Sequence, residues 1–340
     1  MTAADRRAVA TWLLACAALV FALVVVGGIT RLTRSGLSIV EWQPVIGAIP
    51  PLSDAEWETL FAGYRRTPEF QHVNAHIDLA GFKRIFWWEY VHRLLARLVG
   101  VAFLGPFLWL LARGRIERPL VVKLAGVFAL GALQGALGWF MVQSGLVDVP
   151  RVSPVRLAAH LGLALAIIAV ELWLALGLLA APARRAATPR LARFAAVLVA
   201  AVFVMALTGG VVAGLHAGHV YNTFPLMGGY LVPPEVLALE PWWRNFLENS
   251  VTVQLAHRAV GWLLIGLVPL FWWQARAAGL EPGARWACHL LLAVLVLQVS
   301  LGIATLLLHV PLVLAVAHQA GAVLLLATAV WSAHALRSRP

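Results

Sequence analysis

Charge is scarce in this chain: 12% of its 340 residues are Asp, Glu, Lys or Arg, about half of what a soluble globular domain carries. Too little polar surface exists to cover a water-facing globule, so that class is excluded. Cysteine is scarcer still. Cys16 and Cys288 are the only two, which excludes a secreted module stapled by disulfides. Acids are outnumbered by 26 Lys and Arg to 15, for a formal charge of +11. The basic residues fall between apolar runs rather than along one polar face, so they speak for membrane topology and against a nucleic-acid partner. What is abundant is apolar: 61% hydrophobic residues, 15 Trp and a mean hydropathy of +0.85. That content also excludes a disordered or collagen-like chain. The sequence is that of an integral membrane protein, with lipid as its surroundings.

Crossing about 30 Å of hydrocarbon takes roughly 20 helical residues. Runs of that kind are predicted at about 9–28, 91–111, 120–143, 155–181, 191–214, 250–274, 285–308 and 310–335. The first is too long for a signal peptide and lacks a small-residue cleavage site before Arg31, so it is read as a retained span. The last two are separated only by His309-Val310-Pro311, where proline forbids a continuous helix and a tight hairpin is expected. The fold class is thus all-α, with eight transmembrane helices.

Orientation follows from Lys and Arg. Segments 1–8, 112–123, 182–193, 275–286 and 336–340 hold Arg6, Arg7, Arg113, Arg115, Arg118, Lys123, Arg184, Arg185, Arg190, Arg193, Arg276, Arg285, Arg337 and Arg339 against Asp5, Glu117 and Glu281. Those segments and both termini are expected on the cytoplasmic side. The long loops 29–90 and 215–249 hold most of the acids and are expected outside, in the periplasm of a Gram-negative inner membrane.

The chain reads as a four-helix unit written twice. Glu89-Tyr-Val-His92-Arg93 and Gln254-Leu-Ala-His257-Arg258 match at a separation of 165, Gln134-Gly-Ala-Leu-Gly138 and Gln298-Val-Ser-Leu-Gly302 at 164, and His160 corresponds to His318. Two pseudo-symmetric bundles are expected, 1–183 and 184–340, related by an axis along the membrane normal. All four histidines lie on even-numbered spans near the outer entry, in one layer. An imidazole in hydrocarbon is costly without a partner and marks a site; a core histidine bonded to a carbonyl is the plain alternative for any single one.

Zinc wants tetrahedral sets with thiolate or carboxylate, and the two cysteines are isolated in mid-helix. Paired imidazoles from facing helices suit the two axial positions of a haem iron, with small residues admitting the flat macrocycle. Symmetry pairs His92 with His160 and His257 with His318. Arg93 and Arg258 could meet haem propionates, or snorkel to headgroups. Glu89 stands three residues before His92, on the same helical face, where the second copy has Gln254. An ionisable group beside one site alone suggests proton-coupled chemistry in the first bundle and a structural or electron-transferring haem in the second; a carboxylate that merely caps the helix is the competing reading.

Those pieces, together with Gly27-Gly28-Ile-Thr-Arg31-Leu-Thr-Arg34-Ser-Gly36-Leu-Ser, Glu41-Trp-Gln-Pro44, Gly47-Ala-Ile-Pro50-Pro51, Phe82-Lys-Arg-Ile-Phe86-Trp-Trp-Glu89, Thr208-Gly209-Gly210-Val-Val-Ala-Gly214 and Tyr221-Asn222-Thr223-Phe224-Pro225-Leu-Met227, resemble the haem A synthase family, in its alphaproteobacterial and mitochondrial branch. The resemblance spans nearly the whole chain. It implies an oxidoreductase acting on a CH or CH2 group, which takes the C8 methyl group of haem O to the formyl group of haem A by successive hydroxylations and loss of water, for terminal oxidase assembly. It further implies a haem b cofactor on His257 and His318 as iron ligands, and substrate haem O at His92 and His160 with Glu89 as the assisting acid. Direct hand-over from a haem O synthase, the protohaem farnesyltransferase, is a plausible partnership, and the electron donor is open. Other branches carry a cysteine pair in an outer loop; loops 29–90 and 215–249 contain none, so no thiol step carries over.

The rivals are a b-type di-haem electron-transfer cytochrome, which needs no Glu89 in one copy only, and a transporter with parallel repeats, which predicts helices broken at mid-depth. Trp42, Pro44, Pro50, Pro51 and Trp57 suggest an amphipathic lid over the first bundle. His72 and His76, and likewise His216 and His219, are read as solvated loop residues rather than metal pairs. Glu171, deep in the fourth span, is either a proton-path element or a snorkelling acid.

Overall fold

The computed structural model describes residues 1–41, 43, 46–147, 150–180 and 189–337. The expected boundary at 183/184 and residues Trp42, Pro44, Arg184, Arg185 and Arg339 lie outside them. The chain is all-α: α1 (Ala3–Leu32), α2 (Asp54–Tyr64), α3 (Leu79–Ala112), α4 (Arg118–Gln143), α5 (Pro154–Leu179), α6 (Pro189–Gly214), α7 (Asn245–Glu248), α8 (Ser250–Ala277), α9 (Pro282–Leu307) and α10 (Leu312–Leu336). All but α2 and α7 are long and apolar enough to cross a membrane, giving eight spans. Among the described residues the only β pairing is an isolated bridge between Met227 and Tyr230.

Local chemistry sets the helix ends. Helices α5, α6 and α9 begin on proline, whose fixed φ and missing N–H suit a first turn. Ser53 caps α2 in a reciprocal box with Glu56, and Asp78 caps α3 by accepting from the Gly81 N–H. Between α9 and α10 the chain turns through His309 and Val310, both left-handed at φ 61° and 60°, with Val310 N–H donating to Thr305 O at 2.7 Å. This is the expected hairpin, and Pro311 stands just before α10.

One span departs far from its expected start, whereas α1 begins six residues before residue 9. Helix α3 begins at Leu79, about three turns before residue 91, because the amphipathic stretch 79–90 continues the helix beyond the apolar run. Lys83, Arg84 and Glu89 dilute its hydropathy, while Phe82, Phe86 and Tyr90 are buried against α2 through Trp57, Phe61 and Tyr64. Trp57 meets Phe86 edge-on at 4.9 Å between ring centres. Helix α2 therefore rests on an extension of α3, as an aromatic lid at the long-loop end.

The same packing cycle occurs in each half: α1–α3–α4–α5 and back to α1, and α6–α8–α9–α10 and back to α6. In both, the histidine-bearing helices, α3 with α5 and α8 with α10, stand diagonally across the ring. The halves meet through α1, α5, α6 and α10 and share one apolar core that includes Val24, Ile168, Leu198, Leu264, Leu291 and Leu326. Gln319 on α10 also reaches across, donating to Val24 O of α1 at 2.8 Å.

Candidate functional site

Each of the four histidines leans on a glycine of the neighbouring helix. A Cβ added to Gly27 would lie 2.9 Å from His92 Cε1; the corresponding distances are 2.9 Å from Gly138 to His160, 3.2 Å from Gly209 to His257 and 2.8 Å from Gly302 to His318. At Gly27, Gly138 and Gly302 a Cβ could be added only if the ring moved, whereas at Gly209 the ring would have to give by a few tenths of an ångström. The glycine pairs are themselves at matching places in the two copies. Gln134 and Gln298 match as well, each donating its amide to the carbonyl of the histidine on the next helix, His160 O at 3.0 Å and His318 O at 2.9 Å.

The seats also turn the rings. Thr208 Oγ1 gives its single proton to Met205 O at 2.8 Å and lies 2.9 Å from His257 Nδ1. With its proton on that carbonyl the hydroxyl accepts from Nδ1–H, the tautomer that leaves Nε2 its lone pair. Met205 stands four residues before the Gly209 seat, and the carbonyls at the same offset from Gly27 and Gly302, those of Leu23 and Gln298, lie beside His92 and His318, although neither Nδ1 completes a hydrogen bond of good geometry. A metal-ligating imidazole characteristically turns its other nitrogen to such a partner.

His257 and His318 face each other with ring centres 6.5 Å apart. Two metal–nitrogen bonds of about 2 Å, plus roughly 1 Å from each nitrogen to its ring centre, span about 6 Å. In the first half, Gln134 Nε2 stands 3.4 Å from His160 Nε2. All four histidines are partly buried residues. Among the described residues no group of three or more His, Cys, Asp or Glu gathers as a metal site, so a metal held here takes two protein ligands. That donor set fits an iron porphyrin between paired imidazoles and does not fit tetrahedral zinc.

Glu89 and Arg93 sit one turn apart beside the first pair. Glu89 is 2% exposed. Its Oε2 accepts from Ser38 Oγ at 2.7 Å and Ile39 N–H at 2.8 Å, and its Oε1 from Arg93 Nε at 3.1 Å and Nη2 at 2.7 Å. Arg93 also donates to the carbonyls of Ile39 and Glu41. In the second half Gln254 donates to Tyr221 O, while Arg258 donates to Tyr221 O and Thr223 O. The same i, i+4 pair thus fastens a long loop over each bundle. Both arginines, expected at propionates, are engaged with loop backbone; Arg258 Nε stays buried without a partner, a donor still available to an anion.

Three further groups stand at the long-loop end. His72 and His76 are exposed. His216, left-handed at φ 53°, is pushed down to about 4 by burial and by the nearby Arg31, Arg34, His219 and Arg151. Glu69 is buried with Tyr64 and Asn74. Glu171 is buried in α5, its Oε2 without a hydrogen-bond partner. Sequence reasoning gave Gly27, Thr208 and Gly209 no role beyond the strings they belong to, and did not single out Glu69; the recurring doublets Gly27-Gly28 and Gly209-Gly210, one at the outer end of each half's first helix, carried the signal for the two glycines.

Comparison with known proteins now becomes decisive, because the match runs through both halves and all four seats. A family model described as cytochrome oxidase assembly protein, COX15-CtaA, matches residues 10–330. The chain belongs to this family. Among its relatives, a protein of Nitrosospira multiformis named heme A synthase is 56% identical over 338 residues, covering 98% of this chain and 95% of its own. Another of that name, from Nitrosomonas eutropha, is 54% identical, covering 96% of this chain and 93% of its own. A third, from Rhodospirillum centenum, is 50% identical, covering 99% of this chain and 90% of its own. The COX15-CtaA match starts inside α1 and ends inside α10, so it takes in all eight spans and both loop-fastening pairs.

Proposed function

We propose that this chain is a haem A synthase, oxidising the C8 methyl group of haem O to a formyl group for oxidase assembly. The relatives' shared name supports the reading, and one observation on the molecule carries it: four imidazoles on matching glycine seats, with a buried acid beside only one pair. His257 and His318 would hold a resident haem b, whose iron supplies one-electron chemistry when bound. His92 and His160 would hold substrate haem O, which enters from the lipid, by hand-over from a farnesyltransferase or directly.

The chain's own residues do the rest. The glycine seats and the Thr208 hydroxyl orient the ligand nitrogens. Gln134 donates towards His160 Nε2 at 3.4 Å, a weak bond that a substrate iron displaces. The Glu89–Arg93 pair holds Ser38 and Ile39 beside the first histidine pair, and Glu89 is the buried acid there that would assist the oxidation. By its basic residues the protein is a multi-pass protein of the bacterial cell membrane with cytoplasmic termini, so both pockets lie towards the outer leaflet.

The test is expression in a host that makes haem O but no haem A, with extracted haems weighed by mass spectrometry. A species with one more oxygen and two fewer hydrogens than haem O is expected, and it disappears with Glu89→Ala while the resident haem spectrum stays. Haem O alone, from cells holding the folded protein, would refute the assignment.

A further inference from the structure

The two halves use their rim arginines differently. In the second, where Gln254 stands in place of the acid, the Nε of Arg258 is buried without a hydrogen-bond partner. In the first, Glu89 accepts from Arg93 Nε at 3.1 Å and from Nη2 at 2.7 Å, so that donor is taken. Arg97 is engaged as well, donating to Gln43 O at 2.8 Å. Arg31, in the last turn of α1, is not. Its Nε is buried without a hydrogen-bond partner, and among the described residues no carboxylate pairs with it. A buried donor left in that state costs free energy that an anion would restore.

We propose that Arg31 binds a propionate carboxylate of the substrate haem in the first pocket. This rests on His92 and His160 taking haem O. A propionate is anionic at neutral pH, and the planar guanidinium meets a carboxylate with two parallel N–H bonds. No bond is made or broken in the step: Arg31 fixes the edge of the macrocycle while the imidazoles hold its centre.

Position is the first support. Arg31 stands one turn beyond Gly27, where an added Cβ would lie 2.9 Å from His92 Cε1, and residues four apart share a helical face. A helical side chain covers the turn before its own Cα, so this is the face that carries the His92 seat. Thr30 holds the same turn against α3, donating to Trp88 O at 3.2 Å, one turn from His92. The second support is that this arginine belongs to one half. Helices α1 and α6 run alike beyond their seats: Gly27 is followed by the left-handed Arg34 at φ 52°, and Gly209 at the same offset by the left-handed His216 at φ 53°. Between them, the position of Arg31 is occupied in the second half by Ala213. The donor that Glu89 takes up on Arg93 is thus replaced by one from α1. Thirdly, the surroundings are basic. Arg31, Arg34, Arg151 and His219 all act on His216. Contact brings their segments together: a Cβ on Gly145 would lie 2.8 Å from Leu37 Cδ1 and 3.1 Å from the Arg151 carbonyl carbon, and one on Gly214 would lie 2.6 Å from Pro154 Cα. Glu69 acts on Arg34's side of this cluster; a propionate would supply the acid for Arg31.

The rival is an arginine that only snorkels to the outer interface. Binding to the purified protein with its resident haem separates the two, using haem O and its dimethyl ester as probes and tryptophan-fluorescence quenching as the readout. The wild type should bind haem O about tenfold more tightly than the diester. Arg31→Ala, which copies Ala213 of the second half, should lose about tenfold for haem O and nothing for the diester, with the resident haem absorbance unchanged. Arg31→Lys should retain part of the preference. Arg31→Gln, which keeps polarity without charge, gives the same comparison if the alanine variant loses its resident haem. A variant without the charge that keeps the wild-type preference for the free acid, or that weakens for acid and diester alike, overturns the proposal. His92→Ala should weaken both ligands. Binding of haem O that His92→Ala leaves untouched refutes the reading of the first pocket, and this proposal with it. His92-dependent binding by a wild type that forms no haem A refutes the enzymatic reading alone, and the acid and diester comparison still decides the role of Arg31.

Discussion

A single methyl group decides whether an imidazole sits at its seat. An alanine at Gly302 would place its Cβ 2.8 Å from His318 Cε1, whereas one at Gly266, with nothing within 4 Å, would meet open space. Gly302→Ala should therefore strip bound haem from the purified protein and Gly266→Ala should not, as absorbance at equal protein shows. Thr208→Val, which removes the acceptor for His257 Nδ1–H, should weaken haem retention 10- to 100-fold, and Thr208→Ser should retain it. The histidines and the Glu89/Gln254 difference were legible in the sequence because an imidazole in an apolar run has few ordinary explanations. The seats were not, since glycine is common wherever membrane helices meet. Thr208, bonded to a carbonyl of its own helix, looks like any helix-facing threonine. Arg93 and Arg258, open in sequence to a propionate or to headgroups, also donate to loop carbonyls, contacts that no spacing rule reveals.

At the scale of elements, the outer extension of α3 and the helix α2 that lies on it form a unit held by aromatic contact rather than by lipid. Trp57 is its centre, touching Phe82, Phe86 and Trp87. Trp57→Ala should cost about 3–5 kcal/mol locally, raising hydrogen exchange over 53–77 while the eight spans stay protected. The same segment should respond to pH. Glu69 stands at about 7 against 4.5 for the free side chain, so the folded lid holds that proton more tightly than the open one. Its contribution is complete below about 4.5 and is lost as pH rises through about 7, so protection of the lid should fall over that window and become flat in Glu69→Gln. The eight spans could be read from hydropathy within a few residues, apart from the start of α3. There Lys83 and Arg84 broke the apolar run, and the aromatics that continue the helix bury themselves on a partner distant in sequence. Glu69 was illegible for the same reason: a loop acid has no period to betray its burial.

Over the whole molecule, the two halves repeat one construction, with imidazoles on diagonal helices, glycine seats beside them and an i, i+4 pair fastening a loop above. The repeated His-Arg and Gln-x3-Gly strings were visible in sequence, but not the way the helices they sit on join, because the shared core around Ile168, Leu198 and Leu326 consists of apolar residues no different from those that face lipid. Difference enters through the acids, Glu69 and Glu89, buried at the long-loop end of the first half among the described residues. Turnover at the first histidine pair and haem retention at the second is the division we propose. Haem content of purified single-histidine variants measures that division most directly. His257→Ala and His318→Ala should lose the low-spin haem absorbance, whereas His92→Ala and His160→Ala should keep it and yield no haem A. Full haem in His257→Ala or His318→Ala would contradict the account.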